Sequence, residues 1–383
     1  VLFWAHLACG VVAGLVIIAA SVTGVLLAYE RQLVEAAAAG NRVAVAPATT
    51  PLSADRLAEL GREALPDARR LSLVFSADPA VPVSVSRGGE GAPVLLNPYT
   101  GGQLADASAG TRQFLRSMEN LHRWLGGRPG GLGSTLVDLA TLLFLFITLS
   151  GLYLWLPPTW RWLLLKARCT PRATYPNGKA RDYGWHIAFS IWALVPLFVI
   201  ALSGVVMSYD WANKLVYAAY GEQPPQRRAA PEGGGPGVGR PPRDASDAGA
   251  GSPTARASLE ALLASAREHA SPWQRLTLPI NARGESIDIV AELKSDARRA
   301  PRQTLTLATR DAGLLRIAQP AAAANAQSPA ARARLWMRFA HTGEQYGVAG
   351  QTIAALASLV ACLLAYTGIA LAWRRLVVPL WKP

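Results

Sequence analysis

Charge is what the first stretch of this chain lacks. From Val1 to Tyr29 there is no Asp, Glu, Lys or Arg, a run long enough to cross a hydrocarbon core of ~30 Å as a helix. Only 16% of the 383 residues are charged and 51% are hydrophobic, with mean hydropathy +0.20, a balance that excludes an ordinary soluble domain. Cysteine is scarce too. Cys9, Cys169 and Cys362 are the only three, and none falls in residues 30–130 or 210–346. A disulfide framework or thiolate metal cluster is therefore excluded from those long segments. The chain has no C-x-x-C-H, which excludes thioether attachment of a cofactor, and no G-x-G-x-x-G at a strand-to-helix turn, which excludes a dinucleotide fold.

What is present is a set of long apolar runs. Besides the first, Gly131–Leu156, Gly184–Tyr209 and Gly347–Trp373 are each long enough to span a bilayer. The first run is longer than a signal-peptide core and ends in "AYERQL" without a small-residue cleavage site, so it reads as a retained helix. Residues 157–183 carry Arg161, Lys166, Arg168, Arg172, Lys179 and Arg181 against Asp182 alone, and the tail adds Arg374, Arg375 and Lys382. Short basic segments stay in the cytoplasm, which places both termini inside and the two long connections outside. These segments hold +8 of the formal +13, so the basicity reflects topology and no nucleic-acid surface is expected.

The chain repeats itself. "HLACGVVAGLVIIAASVTGVLLAYE" from His6 aligns without gaps on "HIAFSIWALVPLFVIALSGVVMSYD" from His186, matching Thr23-Gly24 to Ser203-Gly204 and Tyr29 to Tyr209 at an offset of 180. Spans two and four are each preceded by a histidine, His122 and His341, and each ends in a small hydroxyl-glycine pair, Ser150-Gly151 and Thr367-Gly368. Residues 53–104 read as an amphipathic helix followed by strands, and 258–315 repeat that order. The expected fold is an α+β membrane protein, internally duplicated, with four transmembrane helices and two outer α/β modules. Its segments are helix one (1–30), first module (31–130), helix two (131–156), basic loop (157–183), helix three (184–209), second module (210–346), helix four (347–373) and tail (374–383). Within the second module, residues 221–256 are too rich in Pro and Gly to pack and read as a linker.

Four of the five histidines sit at or beside span ends, and orientation sorts them into two layers. His6 and His186 fall on the cytoplasmic side, His122 and His341 on the outer side. Neutral imidazoles at one depth supply nitrogen lone pairs without adding charge, which suits axial ligation of a haem iron in a low-dielectric site. One metal cannot bridge the layers, because the 18 residues from His6 to Gly24 span ~27 Å of helix. The expected pairs are His6 with His186 and His122 with His341, holding two haems of b type since thioether links are excluded. The bland alternative is an interfacial polar residue at each span end. Ordinary helix packing accounts equally for the hydroxyl-glycine pairs. Arg123 and Arg338 suit haem propionates or lipid phosphates. His269 has no such context and reads as solvent-facing, and Asp138 is the one acid within the four runs.

The "NPYTGGQL" turn together with "FWAHLACGVVAGLVIIAASVTGVLLAYERQL" resembles the PepSY-associated transmembrane family. That resemblance implies PepSY-like periplasmic modules and a bacterial inner-membrane ferric reductase. It also implies that His6, His122, His186 and His341 ligate two haems b, and that iron is released from a ferric siderophore in the periplasm. The electron donor would be quinol or a cytoplasmic reductase. The second module ends "ATRDAGLL" in place of the full turn motif, which puts its binding role in question. Tyr99, Arg310 and Trp273 are candidates for an outer docking face. Two other functions fit the residues: a haem relay from quinol to a different periplasmic acceptor, or a non-redox, membrane-anchored module that binds or regulates a protease.

Overall fold

The computed structural model describes residues 1–45, 49–88, 90–225, 256–280, 284–294, 302–318 and 328–381. Most of the expected linker, 221–256, lies outside them. The chain divides into a helical unit (1–33, 111–224 and 328–383) and a sheet unit (34–110 and 225–327).

Four helices in the helical unit are long and apolar enough to cross a membrane. They are α1 (Leu2–Leu27), α5 (Leu132–Trp155), α7 (Gly178–Ser208) and α11 (Gly347–Leu376). Helix α1 packs on α5 and α11, and α7 packs on the same two, so the four close into a ring with α1 and α7 on one diagonal. Small residues line the seams. Ala13, Ala140, Ala193, Ala357 and Ala361 are buried, with Phe144 packed between the two central clusters, and such residues let apolar helices approach where lipid removes the hydrophobic drive. At one end, buried Gln351 donates to the Ala28 carbonyl at 2.6 Å and accepts from Gln32 at 2.7 Å, tying the end of α1 to the start of α11.

Spans one, two and four match the expected boundaries to within a turn, but α7 begins at Gly178, six residues before the run that hydropathy marks. Asn177 caps it by accepting the Ala180 N–H at 2.9 Å. The added turns also carry Asp182, so Asp138 is not the only acid in the spanning helices. Asp182 is fully buried and takes hydrogen bonds from Arg181 and Arg374. A paired charge of this kind is invisible to a hydropathy window, which sees only its cost.

Shorter helices of the helical unit are α4 (Ala109–Trp124), α6 (Trp162–Cys169), α8 (Asp210–Ala218) and α10 (Pro329–Thr342), while α2 (Glu30–Ala38) runs on from α1 and passes into the sheet unit after Leu33. Ser328 caps α10 and Pro329 opens it, the usual place for a proline that cannot donate. Gly343 closes it at φ 76°, where a Cβ would lie 2.4 Å from the Gly350 carbonyl oxygen. Sequence reading assigned 31–130 and 210–346 to outer modules, yet most of α4 and all of α8 and α10 belong with the spanning helices.

The sheet unit contains α3 (Ala54–Ala64), then β1 (Ser72–Ser76), β2 (Val83–Arg87), β3 (Glu90–Leu96) and β4 (Gln103–Leu104). The same order recurs in α9 (Leu259–His269), β5 (Trp273–Pro279), β6 (Ser286–Leu293), β7 (Arg302–Ala308) and β8 (Leu314–Ala318). Instead of forming two separate modules, the strands join one antiparallel eight-stranded sheet, β4-β3-β2-β1-β5-β6-β7-β8. The join is β1 on β5, with Leu73 opposite Leu278 and Phe75 opposite Leu276. Alternate residues of both strands face one buried core with Leu57, Leu263, Ile289 and Leu305. The two helices cap each other: Asp55 accepts from Leu259 and Glu260 N–H at 2.8 and 3.1 Å, and Glu260 accepts from Ala54 N–H at 2.6 Å. Each acid thereby meets the positive end of the opposite helix.

Candidate functional site

The four span-end histidines share one local environment. His6 Nδ1 lies 2.9 Å from Ser150 Oγ, His186 Nδ1 2.9 Å from Thr367 Oγ1, His122 Nδ1 3.0 Å from Thr23 Oγ1 and His341 Nδ1 3.1 Å from Ser203 Oγ. In each case the next residue is the glycine of the pair. A Cβ on Gly151, Gly368, Gly24 or Gly204 would stand 3.2, 3.5, 3.6 or 3.5 Å from the Cε1 of the histidine concerned. The hydroxyl holds the ring nitrogen and the bare glycine gives the ring room.

Hydrogen-bond bookkeeping fixes the tautomer. A serine or threonine hydroxyl has one proton, and here it is already given to a carbonyl four residues back: Ser150 to Phe146, Thr367 to Leu363, Thr23 to Ala19 and Ser203 to Val199, at 2.6–2.8 Å. Each hydroxyl must therefore accept, and each Nδ1 must donate. His122 and His341 confirm the direction, since their Nδ1 atoms also lie 2.9 and 3.0 Å from the carbonyls of Ala20 and Ile200, which can only accept. Nε2 is left as the unprotonated nitrogen at all four positions. Burial favours the neutral ring as well. It lowers the pKa of His122, and with the neighbouring charge of His122 it brings His341 down to about 4.

The histidines form two layers. His6 of α1 and His186 of α7 come from helices on one diagonal of the ring, and their hydroxyl partners, Ser150 and Thr367, come from the two helices between them. His122 and His341 reach the other layer from α4 and α10, with ring centres 6.4 Å apart and planes at 76°. The hydroxyl partners cross over. Spans one and three supply histidines to one layer and hydroxyls to the other, and spans two and four supply only hydroxyls.

The remaining sequence candidates are placed differently. Arg123 is exposed, pairs with Glu119 at 2.8 Å and stacks on Trp124, while Arg338 is exposed on α10. His269 is exposed at the end of α9, with Nδ1 2.8 Å from the Ser265 carbonyl. Tyr99 and Arg310 occupy the same position of the β3–β4 and β7–β8 turns, but those turns lie at opposite edges of the strand order while Trp273 begins the central β5. Among the described residues, no three of His, Cys, Asp or Glu converge to hold a metal ion.

Sequence reasoning missed Glu30, beside Glu119 and Glu344, and the Arg181–Asp182–Arg374 cluster beside α7. An acid one turn from a span end and basic residues at its foot are the signals that lead to them.

A mixed sheet-and-helix chain with four candidate spans and paired, tautomer-fixed histidines defines a class of membrane protein. The model of the PepSY-associated TM region matches residues 3–375, and the chain belongs to that family. Comparison with curated proteins gives no match.

Proposed function

We propose that the protein is an inner-membrane, di-haem b oxidoreductase that passes electrons across the bilayer to a ferric siderophore in the periplasm, drawing them from quinol or a cytoplasmic reductase. The observation that carries this reading is the common tautomer. Four histidines donate Nδ1–H to a fixed acceptor and keep Nε2 free, the arrangement that orients imidazole as a metal ligand.

The donor set fits an iron porphyrin. His122 and His341, with ring centres 6.4 Å apart, would hold one haem through their Nε2 atoms, and His6 with His186 would hold the other. Two nitrogens per layer would suit a metal whose remaining ligands come from a macrocycle, whereas a bare structural ion takes a four-ligand shell from the protein. Held by these pairs, haem would supply a one-electron couple.

The rest is done by the chain. Ser150 and Thr367 orient the ligands of the layer nearer the basic end, and Thr23 and Ser203 those of the other. His6 and Gly24, the residue that backs His122, are 18 positions apart on α1, so the layers sit ~27 Å apart along it. Short basic segments favour the cytoplasmic side, so the basic α5–α7 connection and tail argue for the His122/His341 layer on the periplasmic side; the sheet unit would supply the PepSY-like modules. Siderophore oxygens are hard and anionic and hold iron(II) less tightly than iron(III), so one electron weakens their grip.

The test is reoxidation. Dithionite-reduced protein, desalted anaerobically and mixed with a ferric siderophore, should lose its reduced visible bands while a ferrous chelator reports iron(II). Bands that persist in the presence of several ferric siderophores would contradict the proposed acceptor.

A further inference from the structure

One end of the helical unit, formed by the starts of α1 and α7 and the ends of α5 and α11, is short of negative charge. Segments 1–29, 139–209 and 345–383 contain a single acid, Asp182, and that acid is already shared. Arg181 donates to its Oδ1 from Nε and Nη2 at 3.1 and 3.0 Å, and Arg374 donates to Oδ2. One carboxylate between two guanidiniums leaves the cluster positive. Beside it lies a cavity of about 300 Å³ lined by Arg172, Tyr175, Asn177, Gly178, Arg181 and Trp185, which adds a third guanidinium and no acid.

The walls are fixed. The Tyr175 hydroxyl accepts the Arg172 backbone N–H at 2.9 Å. The Tyr175 ring lies so close to α7 that a Cβ on Gly184 would come within 2.5 Å of it. Arg181, its fork oriented by the buried carboxylate, stacks over Trp185 at 5.1 Å. Gly178 and the Asn177 cap bring the start of the 31-residue α7 to the rim, adding the positive end of its dipole.

We propose that this cavity binds a phosphate group between Arg172 and Arg181, beside Trp185. The Arg172 guanidinium offers a fork of paired donors to phosphate oxygens, and Arg181, with Nε and Nη2 turned to Asp182, adds its remaining N–H groups and its charge. The volume takes a phosphate-bearing head but is at the lower limit for a small-molecule site, too small for a dinucleotide. The cavity adjoins the end of a spanning helix, so the phosphate has two sources: the headgroup of an anionic phospholipid in the adjoining leaflet, or a soluble phosphate ester. This inference stands apart from the haem proposal, and protein without haem would bind the phosphate equally.

The test uses the full chain in detergent, delipidated and then offered phosphatidylglycerol, phosphatidylcholine or inorganic phosphate. Native mass spectrometry counts retained lipid, and melting temperature follows phosphate. Arg172→Gln removes one charge-assisted fork at an exposed position and should weaken binding roughly tenfold. Gly184→Ala, which must displace the Tyr175 ring from its place in the cavity wall, should weaken it by an independent route. Retention of phosphatidylglycerol over phosphatidylcholine that depends on Arg172 supports the site with a lipid source. Stabilisation by inorganic phosphate that depends on Arg172 and competes with phosphatidylglycerol supports it with a soluble source. Equal retention of the two lipids with no phosphate effect, or folded variants that bind as the wild type does, would overturn it.

Discussion

A neutral imidazole has one donor nitrogen and one acceptor nitrogen, and four small hydroxyls decide which is which in this protein. Replacing Ser150 by Ala, or Thr367 by Val, leaves a buried Nδ1–H short of its acceptor in one layer only. The expected result is a roughly 10–100-fold loss of cofactor affinity in that layer, measured as haem transfer to apomyoglobin, with the His122/His341 layer unchanged. Glu30 offers a pH test. Burial, then repulsion from Glu119 and Glu344, raises its pKa above 4.5. A carboxyl raised in the folded state binds its proton more tightly there than in the unfolded chain, so its charge costs stability above the raised pKa. That cost fades as pH falls from the raised pKa to the unfolded value of 4.5. Glu30→Gln should therefore melt higher than wild type at pH 7.5 and at the same temperature once the pH is below about 4.5; an equal difference at both pH values would count against the carboxyl. At this scale the sequence showed the histidines and the hydroxyl-glycine pairs but not their match. The partners are 99 to 181 residues apart, and no local period links them. Helix packing explained the pairs well enough until the rings were seen against them.

Elements carry a second set of consequences. The two sheet turns look unlike in sequence, "NPYTGGQL" against "ATRDAGLL", but they fold alike. Asn97 N–H reaches the Gly102 carbonyl at 2.8 Å and Ala308 N–H the Gly313 carbonyl at 2.8 Å. Gly101 at φ 75° in the first turn corresponds to Ala312 at φ 58° in the second. An alanine in the left-handed region costs roughly 1 kcal/mol, so Ala312→Gly should stabilise the sheet unit by about that amount in thermal denaturation; a loss of stability would mean that the methyl packs favourably there. The crossed caps give the opposite sign. Asp55→Ala removes two acceptors from the start of α9 and should cost about 1–2 kcal/mol, read as a lower melting temperature. The helix, the strands and the serine caps at Ser53 and Ser258 could be read from pattern. The crossed pairing of Asp55 and Glu260 could not, because an acid in a first turn normally serves its own helix. Helix α7 was read short for a related reason: Asp182 and the basic residues around it look like loop until Arg374 arrives from the far end of the chain.

For the whole molecule, the 180-residue offset that aligns His6 with His186 gave no sign that α1 and α7 would stand on one diagonal of the ring. It did not anticipate a single sheet. Each set of four strands reads as a complete module, and the β1–β5 join depends on two edges finding each other across 200 residues of chain. The repeat also predicts separable layers: His186→Ala should remove the cofactor shared with His6 and leave the His122/His341 site loaded, halving the haem-to-protein ratio. The most direct measurement of the central claim is the visible and low-temperature EPR spectrum of the full-length wild-type protein purified with ample haem supply. Two low-spin, bis-imidazole haems b per chain are predicted. A preparation without a Soret band, or with haem that is high-spin in both layers, would contradict the account.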